Sequence, residues 1–563
     1  MSLPVVKYIY AEEDPYLPCL MSIAQLFDVE LRCSRETNER DENKQTDALG
    51  CIVNPRALSG MLDTKLKRKT QDTRSGPWFV YGCNKKTLAK LALALDMDIP
   101  EPELHETKRY RFLENAEFLS FFSGHQLEEQ NRRVITIQPL AGAIRSFIET
   151  ERGAVFGILE GRDLEVYFSG VDLPPAEAVI PFRNYFHARN FLSLLPIFLF
   201  LRRILKGIEL NLPKPRACFI IDDPNLRTMS YGYLNFPEMI RSARKHRYHW
   251  AVGMIPIDYR TTSRRVADLL TASSDVFSLV MHGNDHLAKE MARDVSEAEQ
   301  RFILMQALKR MEDHRVRTRI DFPRAMILPH GVCSLQGIES MRTCGCSALV
   351  SSRAYPFLSS EETPHNLYQM WPAEMTLRGF PIINRFKEEW DRNDLLFYAW
   401  LGKPLLIYGH NQWLRYGPGP LEEIAYFLNR RGPFSWISVK EIIESNYFCR
   451  REGSSFQIRL FSNEVRVDIP KGVRCIKIQK KGLDIPWKEE GVFVNQNLLQ
   501  WSTKESEEST VTLDWAGKPC SLAIRYRPLS IPLVQGWHRT KWRSRCRRLM
   551  MEARDRLLPL TRP

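Results

Sequence analysis

A series of short apolar segments, separated by helical patterns, constrains the fold of this chain more than any other feature. Seven segments have the length and composition of strands: 217–223, 248–256, 276–284, 325–331, 348–352, 405–410 and 436–439. Helical patterns such as SEAEQRFILMQALKRMEDH and PLEEIAYFLNRR lie between most of them. Repeated strand–helix units in this number predict a (β/α) barrel, with its active site at the carboxyl ends of the strands.

The segments before and after the predicted barrel have different apolar patterns. Residues 1–205 alternate short apolar runs with helix-like segments, which predicts a separate α/β domain with a parallel sheet. We assign residues 206–448 to the barrel. From 449 to 535 the apolar period changes to two, in segments such as EVRVDI and TVTLDW, which predicts an antiparallel β-sandwich. A basic tail, residues 536–563, follows the predicted sandwich.

The composition is that of an ordinary soluble protein, with 44% hydrophobic and 26% charged residues among 563. The net charge of +13 is concentrated in the tail, which has nine Arg and Lys residues against Glu552 and Asp555. We therefore expect no specific nucleic-acid partner. In the tail, KWRSRCRRLMMEARDRLL mixes basic and apolar residues, as an interfacial helix on an anionic membrane does; a solvated basic tail is the alternative. Without a secretory signal pattern at the N-terminus, we expect a cytoplasmic location, with peripheral membrane contact through this tail.

Three of the predicted strands end in residues whose side chains can take part in catalysis or bind a metal. The first ends in Asp222 and Asp223, the third leads into His282 and His286, and a later one ends at His410. On a helical turn the i, i+4 spacing of the two histidines would place both imidazoles on one face, where they can bind one ion. Two imidazoles and one carboxylate form a recurrent site for zinc and other divalent metals. Each feature alone has a structural explanation, such as a cap or a core histidine, but together they predict a metal site.

These residues resemble the motifs of the polysaccharide deacetylase family, also called the NodB-homology or carbohydrate esterase family 4 fold. IIDDPN is similar to the family's Asp-Asp motif, HGNDH to its His-(Ser/Thr)-x-x-His motif, ILPHG to its third motif, and LLIYGH to its closing catalytic histidine. The resemblance covers about 230 residues. It implies that the predicted barrel is of the deformed NodB-homology type.

The resemblance also implies roles for individual residues. Asp222 would be the general base, and His410 the general acid that protonates the leaving amine. Asp223, His282 and His286 would bind a divalent metal, for which we expect zinc. The substrate would be an N-acetylated glycan.

Residues near the site are predicted to contact substrate. His330, in the place of the family's tyrosine, would line the cleft, and the oxyanion would lie near a backbone N–H of Pro329–Gly331. Trp413 would stack on a sugar face or pack in the core.

One departure concerns the third motif, where the family has an arginine that orients the base. Ile327 stands in its place here. Arg227 is our candidate for a substitute cation, with Arg324 as second choice.

The sequence thus predicts a metal-dependent hydrolase that removes N-acetyl groups from amino sugars of a polysaccharide or a glycan precursor. Two alternatives stay open. One is another metal-dependent C–N hydrolase of the same fold, because a fold alone does not determine function. The other is a non-catalytic glycan-binding protein whose barrel has lost activity.

Overall fold

The structure is a computed structural model that describes residues 3–10, 14–35, 48–58, 76–162, 164–175, 189–208, 211–353, 371–376, 379–481, 490–494, 497–499, 508–515, 517, 519–528 and 542–561. The chain divides into two compact units, the first ending at Leu210 and the second beginning at Asn211.

The first unit is built on one sheet of nine strands: β1 (Val5–Tyr10), β2 (Glu30–Arg35), β3 (Gly50–Val53), β4 (Trp78–Val80), β5 (Glu103–Phe112), β6 (Gln126–Thr136), β7 (Ile144–Thr150), β8 (Gly153–Glu160) and β9 (Glu165–Ser169). Among the described residues, its α-helices are Leu17–Phe27, Lys85–Ala94, Ala116–Leu119 and Leu195–Ile204. The strand order is β2-β1-β3-β4-β9-β8-β7-β5-β6. Strands β1 to β4 and β9 pair in parallel, as predicted, whereas β5 to β8 form antiparallel ladders that the sequence reading did not anticipate.

The second unit contains a closed barrel with short accessory strands: β10 (Arg216–Asp222), β11 (Ser230–Tyr231), β12 (Leu234–Asn235), β13 (Trp250–Met254), β14 (Phe277–His282), β15 (Ala325–Ile327), β16 (Ala348–Ser351), β17 (Glu374–Met375), β18 (Pro381–Lys387), β19 (Leu405–Gly409) and β20 (Ser435–Trp436). Seven parallel strands pair around the barrel in the order β10-β13-β14-β15-β16-β18-β19, and β19 pairs with β10 to close it. Every residue of β10 is buried, as expected for a parallel strand that is covered on both faces.

Helices cover the outside of the barrel: Phe236–His246, Arg264–Thr271, Glu297–Thr318, Leu335–Thr343, Arg392–Trp400, Gly419–Arg431 and Val439–Glu444. Several begin with a side-chain cap that satisfies a free backbone N–H of the first turn. Ser296 and Ser334 accept from the N–H groups of Glu299 and Gly337, and Ser438 forms a reciprocal capping box with Glu441. The predicted (β/α) barrel is therefore confirmed, but its seventh strand is β18, which the sequence pattern had not indicated. The predicted strand 436–439 is wrong: the two-residue β20 there pairs with β10 outside the closed ring, and a helix begins at Val439.

The predicted sandwich consists of two four-stranded sheets. Their strands are β21 (Tyr447–Glu452), β22 (Ser455–Leu460), β23 (Glu464–Ile469), β24 (Cys475–Lys481), β25 (Glu490–Val494), β26 (Asn497–Leu499), β27 (Glu508–Asp514) and β28 (Cys520–Pro528). One sheet has the order β21-β22-β24-β27 and the other β23-β28-β25-β26, and buried residues of both form one core. All pairings are antiparallel except β22 with β24, which is parallel.

The basic tail contains a helix, Trp542–Thr561, which we call the C-terminal helix. It packs on the barrel through polar contacts, among them a hydrogen bond of 2.8 Å between the Tyr231 hydroxyl and Asp555. Residues 536–541 and 562–563 of the predicted tail lie outside the described residues. Among the described residues, no helix combines the length and the apolar character needed to cross a bilayer.

Candidate active site

The barrel brings the carboxyl ends of several strands to one edge, as parallel strands require. Asp222 ends β10 and His282 ends β14. His410 directly follows β19. These three strand ends were predicted from the sequence to meet, and in the structure their side chains lie within a few ångströms of Asp223 or each other.

A compact donor cluster lies at the centre of this edge. The Nε2 atoms of His282 and His286 are 3.5 and 3.4 Å from Oδ1 of Asp223. One ligand atom from each of the three residues falls within 4.8 Å of the others, and all three residues are buried. Oδ1 of Asp223 makes no hydrogen bond to any described residue, which is costly for a buried carboxylate oxygen. The residues present therefore fit a divalent metal with nitrogen and oxygen ligands.

The two histidines do not share a helical turn, contrary to the prediction. His282 ends a strand, and His286 lies in an irregular loop with φ of 54°. Gly283 turns the chain between them with φ of 62°, a conformation that favours glycine. A Cβ atom at Gly283 would lie 2.4 Å from Cγ of Pro329 and 2.6 Å from Oε2 of Glu290. The close approach explains why glycine stands where the similar family has Ser or Thr.

Buried side chains from neighbouring segments brace this loop. The carboxylate of Glu290 accepts from the N–H groups of Asn284 and Asp285 at 2.8 and 2.9 Å. Arg310, from the helix Glu297–Thr318, donates to the side-chain oxygens of the same two residues at 2.6 Å. The position of His286 is thus fixed by hydrogen bonds rather than by helical geometry.

A backbone hydrogen bond orients the ring of His282. Its Nδ1 is 3.2 Å from the carbonyl oxygen of Ile327, and because a carbonyl only accepts, Nδ1 carries a proton. Its Nε2 is then directed toward Asp223. Histidines that bind metals commonly use their second nitrogen in this way. Ile327 therefore contributes to the site through its backbone.

The charges of the cluster are strongly coupled. Burial alone would raise the pKa of Asp223, but the imidazoles of His282, His286 and His410 outweigh it and hold that pKa far below its usual range. Burial lowers the pKa of His286 to about 4, with a further contribution from His282. His286 is therefore neutral at physiological pH, which is the form that binds metals.

The base candidate Asp222 pairs with an arginine that the sequence reading missed. Nη1 of Arg385, from β18, lies 2.5 Å from Oδ2 of Asp222. Both residues are buried, and the guanidinium also lies over the ring of Tyr408, 3.8 Å from its centroid. The other carboxylate oxygen, Oδ1, has no hydrogen-bond partner among the described residues. A carboxylate held at one oxygen and available at the other is arranged to accept a proton.

The prediction that Arg227 or Arg324 supplies this cation is wrong. Arg227 is directed to the C-terminal helix, where its Nη2 lies 3.6 Å from Glu552. Arg324 precedes β15 at the end of the barrel opposite the site and donates to the carbonyl of Cys344 at 3.4 Å. Among the described residues, the arginine that reaches Asp222 is Arg385, near the carboxyl end of β18, which β19 separates from β10.

His410 faces the cluster from the solvent side. Its Nε2 is 3.9 Å from Oδ2 of Asp223, and its side chain is 48% exposed. It therefore borders both the buried cluster and the space open to a substrate. Sequence reasoning placed it here correctly, at the end of β19.

The predicted substrate-contact residues differ in exposure. His330 is exposed, and its ring centroid lies 5.2 Å from that of His286. Pro329 and Gly331 are buried, and the N–H of Gly331 donates to the carbonyl of Leu328 at 3.4 Å. Of this turn, His330 is therefore the residue that presents a side chain to solvent.

Trp413 lies partly in the core. Its ring is half-buried and packs edge-on against Phe219 of β10, with the ring centroids 5.8 Å apart. A Cβ atom on Gly409 would lie 2.7 Å from Cε3 of Trp413, so the indole covers the backbone just before His410. This position is compatible with both predictions for Trp413, packing in the core and contact with a substrate at the exposed edge of the ring.

Solved structures resemble this chain, although neither a protein-family profile nor a curated protein sequence matches it. Agd3, described as a novel carbohydrate deacetylase, aligns with a TM-score of 0.52 and 10% identity over 94% of this chain and 100% of its own. The chain has the fold of a carbohydrate deacetylase. A family 4 carbohydrate esterase from Streptomyces lividans aligns over 39% of this chain and 91% of its own, with 11% identity and a TM-score of 0.25. A CE4 family pseudoenzyme from Bacillus anthracis covers 39% of this chain and 63% of its own, with 11% identity and a TM-score of 0.25. The match to Agd3 confirms, for the fold, the resemblance to a deacetylase that the motifs indicated.

Proposed function

We propose that this protein is a metal-dependent deacetylase that removes N-acetyl groups from the amino sugars of a polysaccharide or a glycan precursor. One observation carries the proposal. The buried donor cluster of Asp223, His282 and His286 has the arginine-held carboxylate of Asp222 beside it and the exposed imidazole of His410 near it. A base, a metal site and an acid are the three components that this hydrolysis needs.

Zinc is the metal that we propose for the cluster. Two imidazoles and a carboxylate leave further coordination positions open, which is typical of catalytic zinc sites. A bound zinc ion would act as a Lewis acid and lower the pKa of a water molecule at the site. His286 is neutral, and the hydrogen bond from Nδ1 of His282 to Ile327 leaves Nε2 of His282 directed toward Asp223, where it would bind the ion.

The protein's own residues would move two protons. Asp222 accepts a proton at Oδ1 from the attacking water, while Arg385 holds Oδ2 and keeps the carboxylate oriented. The water oxygen bonds to the acetyl carbon, and the bond from that carbon to nitrogen breaks. His410 donates a proton to the departing nitrogen, so the products are acetate and a free amine. His330 and the exposed edge of Trp413 are proposed to contact the sugar.

Metal analysis and acetate release together test this proposal. We expect purified protein to contain about one zinc per chain and to release acetate from at least one member of a panel of N-acetylated glycans. D222N and H410A should each lower the rate at least 100-fold, as loss of a general base or acid does. H246A, which changes a histidine outside the site that faces Glu422, is the matched control and should keep wild-type activity.

The alternatives predict different results. A protein that binds zinc but releases no acetate from any glycan would instead be another C–N hydrolase of this fold. A metal-free, inactive wild type that retains glycan binding would be a non-catalytic binding protein. Either result would refute the deacetylase proposal.

We also propose that the outer face of the C-terminal helix binds an anionic membrane surface. Both acidic residues of the described helix, Glu552 and Asp555, are buried against the barrel. Trp542, Leu549 and Met550 are 70, 54 and 66% exposed, and basic residues flank them at exposed positions, among them Arg543 and Arg545. At 100° per residue, the three apolar side chains share one arc with basic residues on both sides. An apolar arc bordered by arginines is typical of helices that lie on anionic lipid, and each basic residue near the surface contributes about 1 kcal/mol.

Vesicle co-sedimentation tests this contact without removing the helix. The wild type should bind vesicles that contain phosphatidylserine and should not bind pure phosphatidylcholine. L549E/M550E should lose binding, whereas V316E, at an exposed apolar residue on a different helix, should retain it. Binding that survives in L549E/M550E but is lost in R543E/R545E would indicate a general polyanion site and refute the membrane proposal. A cytoplasmic, peripheral location is part of this proposal.

A further inference from the structure

The inner face of the C-terminal helix contacts the loop that follows the Asp222–Asp223 pair. Arg548 donates to the carbonyl oxygen of Asp223 at 2.7 Å, and Arg556 donates to Oδ1 of Asn225 at 3.1 Å. The hydroxyl of Tyr231 donates to Asp555 at 2.8 Å. The helix therefore binds the loop at its first residues and again near its end.

This docking face is polar. Among residues 542–557, the part of the helix whose burial the structure describes, the four most buried residues recur at helical spacing and have polar side chains: Ser544, Arg548, Glu552 and Asp555. Helices usually pack on a barrel through apolar stripes, and burying charges costs free energy unless they are paired. Specific hydrogen bonds to the loop therefore explain this face better than general hydrophobic packing does.

Arg548 bridges the ends of two adjacent strands. Its Nε and Nη2 both contact Oδ2 of Asp258, at 2.7 and 2.6 Å, in the turn that follows β13. The same Nη2 reaches the carbonyl of Asp223, which follows β10. The carboxylate of Asp258 balances the charge of the Arg548 guanidinium, so this buried group is held in a fixed position.

The backbone of Asp223 needs this support. Its φ of 78° lies in the left-handed region, where a residue other than glycine is held only by its surroundings. The N–H of Asp223 donates to the carbonyl of Gly253 at 3.1 Å, and Arg548 holds the carbonyl on the other side. The two contacts fix the peptide groups on both sides of Asp223 and thereby the direction of its carboxylate.

We propose that Arg548 is a positioning residue for the metal ligand Asp223, so that the C-terminal helix is a structural part of the metal site. This inference rests on the proposed metal-dependent function. Residues that orient a metal ligand typically change metal affinity 10- to 100-fold when they are replaced. The effect of Arg548 should therefore appear in metal binding, apart from turnover.

The test compares two full-length variants that both weaken helix docking. R548A removes the contact with Asp223, whereas Y231F removes only the hydrogen bond to Asp555 and leaves Asp223 untouched. Zinc dissociation constants are measured by competition with a chelating dye, and the midpoint of thermal unfolding is measured in EDTA. We expect R548A to weaken zinc binding at least 10-fold and Y231F to change it less than threefold.

R548K serves as a second variant if R548A does not fold. Lysine keeps the charge beside Asp258 but has no planar fork that reaches both acceptors. We expect it to fold and still weaken zinc binding several-fold.

The outcomes separate this inference from the proposed function. A wild type that binds no zinc would refute the metal site, and the inference with it. A wild type that binds zinc, together with Arg548 variants of unchanged affinity, would refute the inference alone. Equal losses in R548A and Y231F would show that docking of the helix in general, and not the contact with Asp223, sets the affinity, which also overturns it.

Discussion

Replacing Arg385 with methionine tests the pairing on which the proposed base depends. R385M keeps an unbranched side chain but leaves the carboxylate of Asp222 buried without its cation; Asp222 is 1% exposed and Arg385 5%. Two unit charges about 4 Å apart interact by about 4 kcal/mol at an effective dielectric constant of about 20. Breaking a buried pair by removing one partner costs about 3–5 kcal/mol in other proteins. We therefore expect R385M to lower the free energy of unfolding of the second unit by about 3–4 kcal/mol.

Urea unfolding in EDTA, followed by tryptophan fluorescence, measures this loss without a contribution from metal. R227A is the matched control, because Arg227 is an exposed arginine whose carboxylate partner, Glu552, lies on the C-terminal helix, and it should lose less than about 1 kcal/mol. D222N removes the negative charge, so adding R385M to D222N should cost much less than R385M alone. Equal costs in both backgrounds would refute the reasoning, because the loss would then come from packing and not from an uncompensated charge.

Three further predictions concern local features. Burial lowers the pKa of His314, whose ring is hydrogen-bonded to Thr262 at 2.9 Å, to about 4. Because this folded-state pKa lies below the unfolded value of about 6.5, His314 lowers the free energy of unfolding by about 3 kcal/mol as pH falls from 6.5 to 4. H314Q should flatten the pH dependence of the unfolding free energy in that range, and an unchanged slope would contradict the assignment. G283S, which restores the residue type of the similar family, should destabilise the protein by at least about 1–2 kcal/mol in thermal unfolding, because of its left-handed φ and close contacts; wild-type stability would disprove this explanation. S438A should cost about 1 kcal/mol in the same assay through loss of the capping box with Glu441, and E441Q, which retains a hydrogen-bonding side chain, should cost less.

The sequence predicted the barrel strands best where no polar residue of the site interrupts the apolar run. Predicted segments such as 217–223 and 405–410 agree within one residue with β10 and β19. The strand that was missed, β18, begins with a proline and carries Asn384 and Arg385 within its apolar run. Arg385 faces Asp222 rather than solvent. A polar residue of the site thus interrupts the apolar pattern of the strand. Local sequence patterns are expected to fail at such functional positions.

The residues of the donor cluster were predictable, but their geometry was not. The spacing of His282 and His286 correctly indicated that both rings lie together, beside Asp223. It wrongly indicated a helical turn, because the shape of the loop depends on Gly283 and on contacts with a distant helix. The substitute for the family's arginine was sought near in sequence to Asp222 and to Ile327, whereas it comes from a strand 163 residues after Asp222. Spacing along the chain gives no information on such contacts.

The contacts of the C-terminal helix likewise could not be predicted from local sequence patterns. Its composition indicated an amphipathic helix, and its outer face fits that interpretation. Its inner face is defined by partners such as Asp223, more than 300 residues earlier, which no local pattern can identify.

The contact between Arg548 and Asp223 also has a consequence for biosynthesis. The two residues are 325 positions apart, so at roughly 5–20 residues per second the ribosome adds Arg548 on the order of tens of seconds after Asp223. During that interval the barrel strands can already pair, but the peptide group after Asp223 lacks its hydrogen-bond donor. A chain released before Arg548 is added would then have the complete ligand set of the metal site and yet bind zinc weakly. Premature termination would therefore leave the proposed metal site without this support.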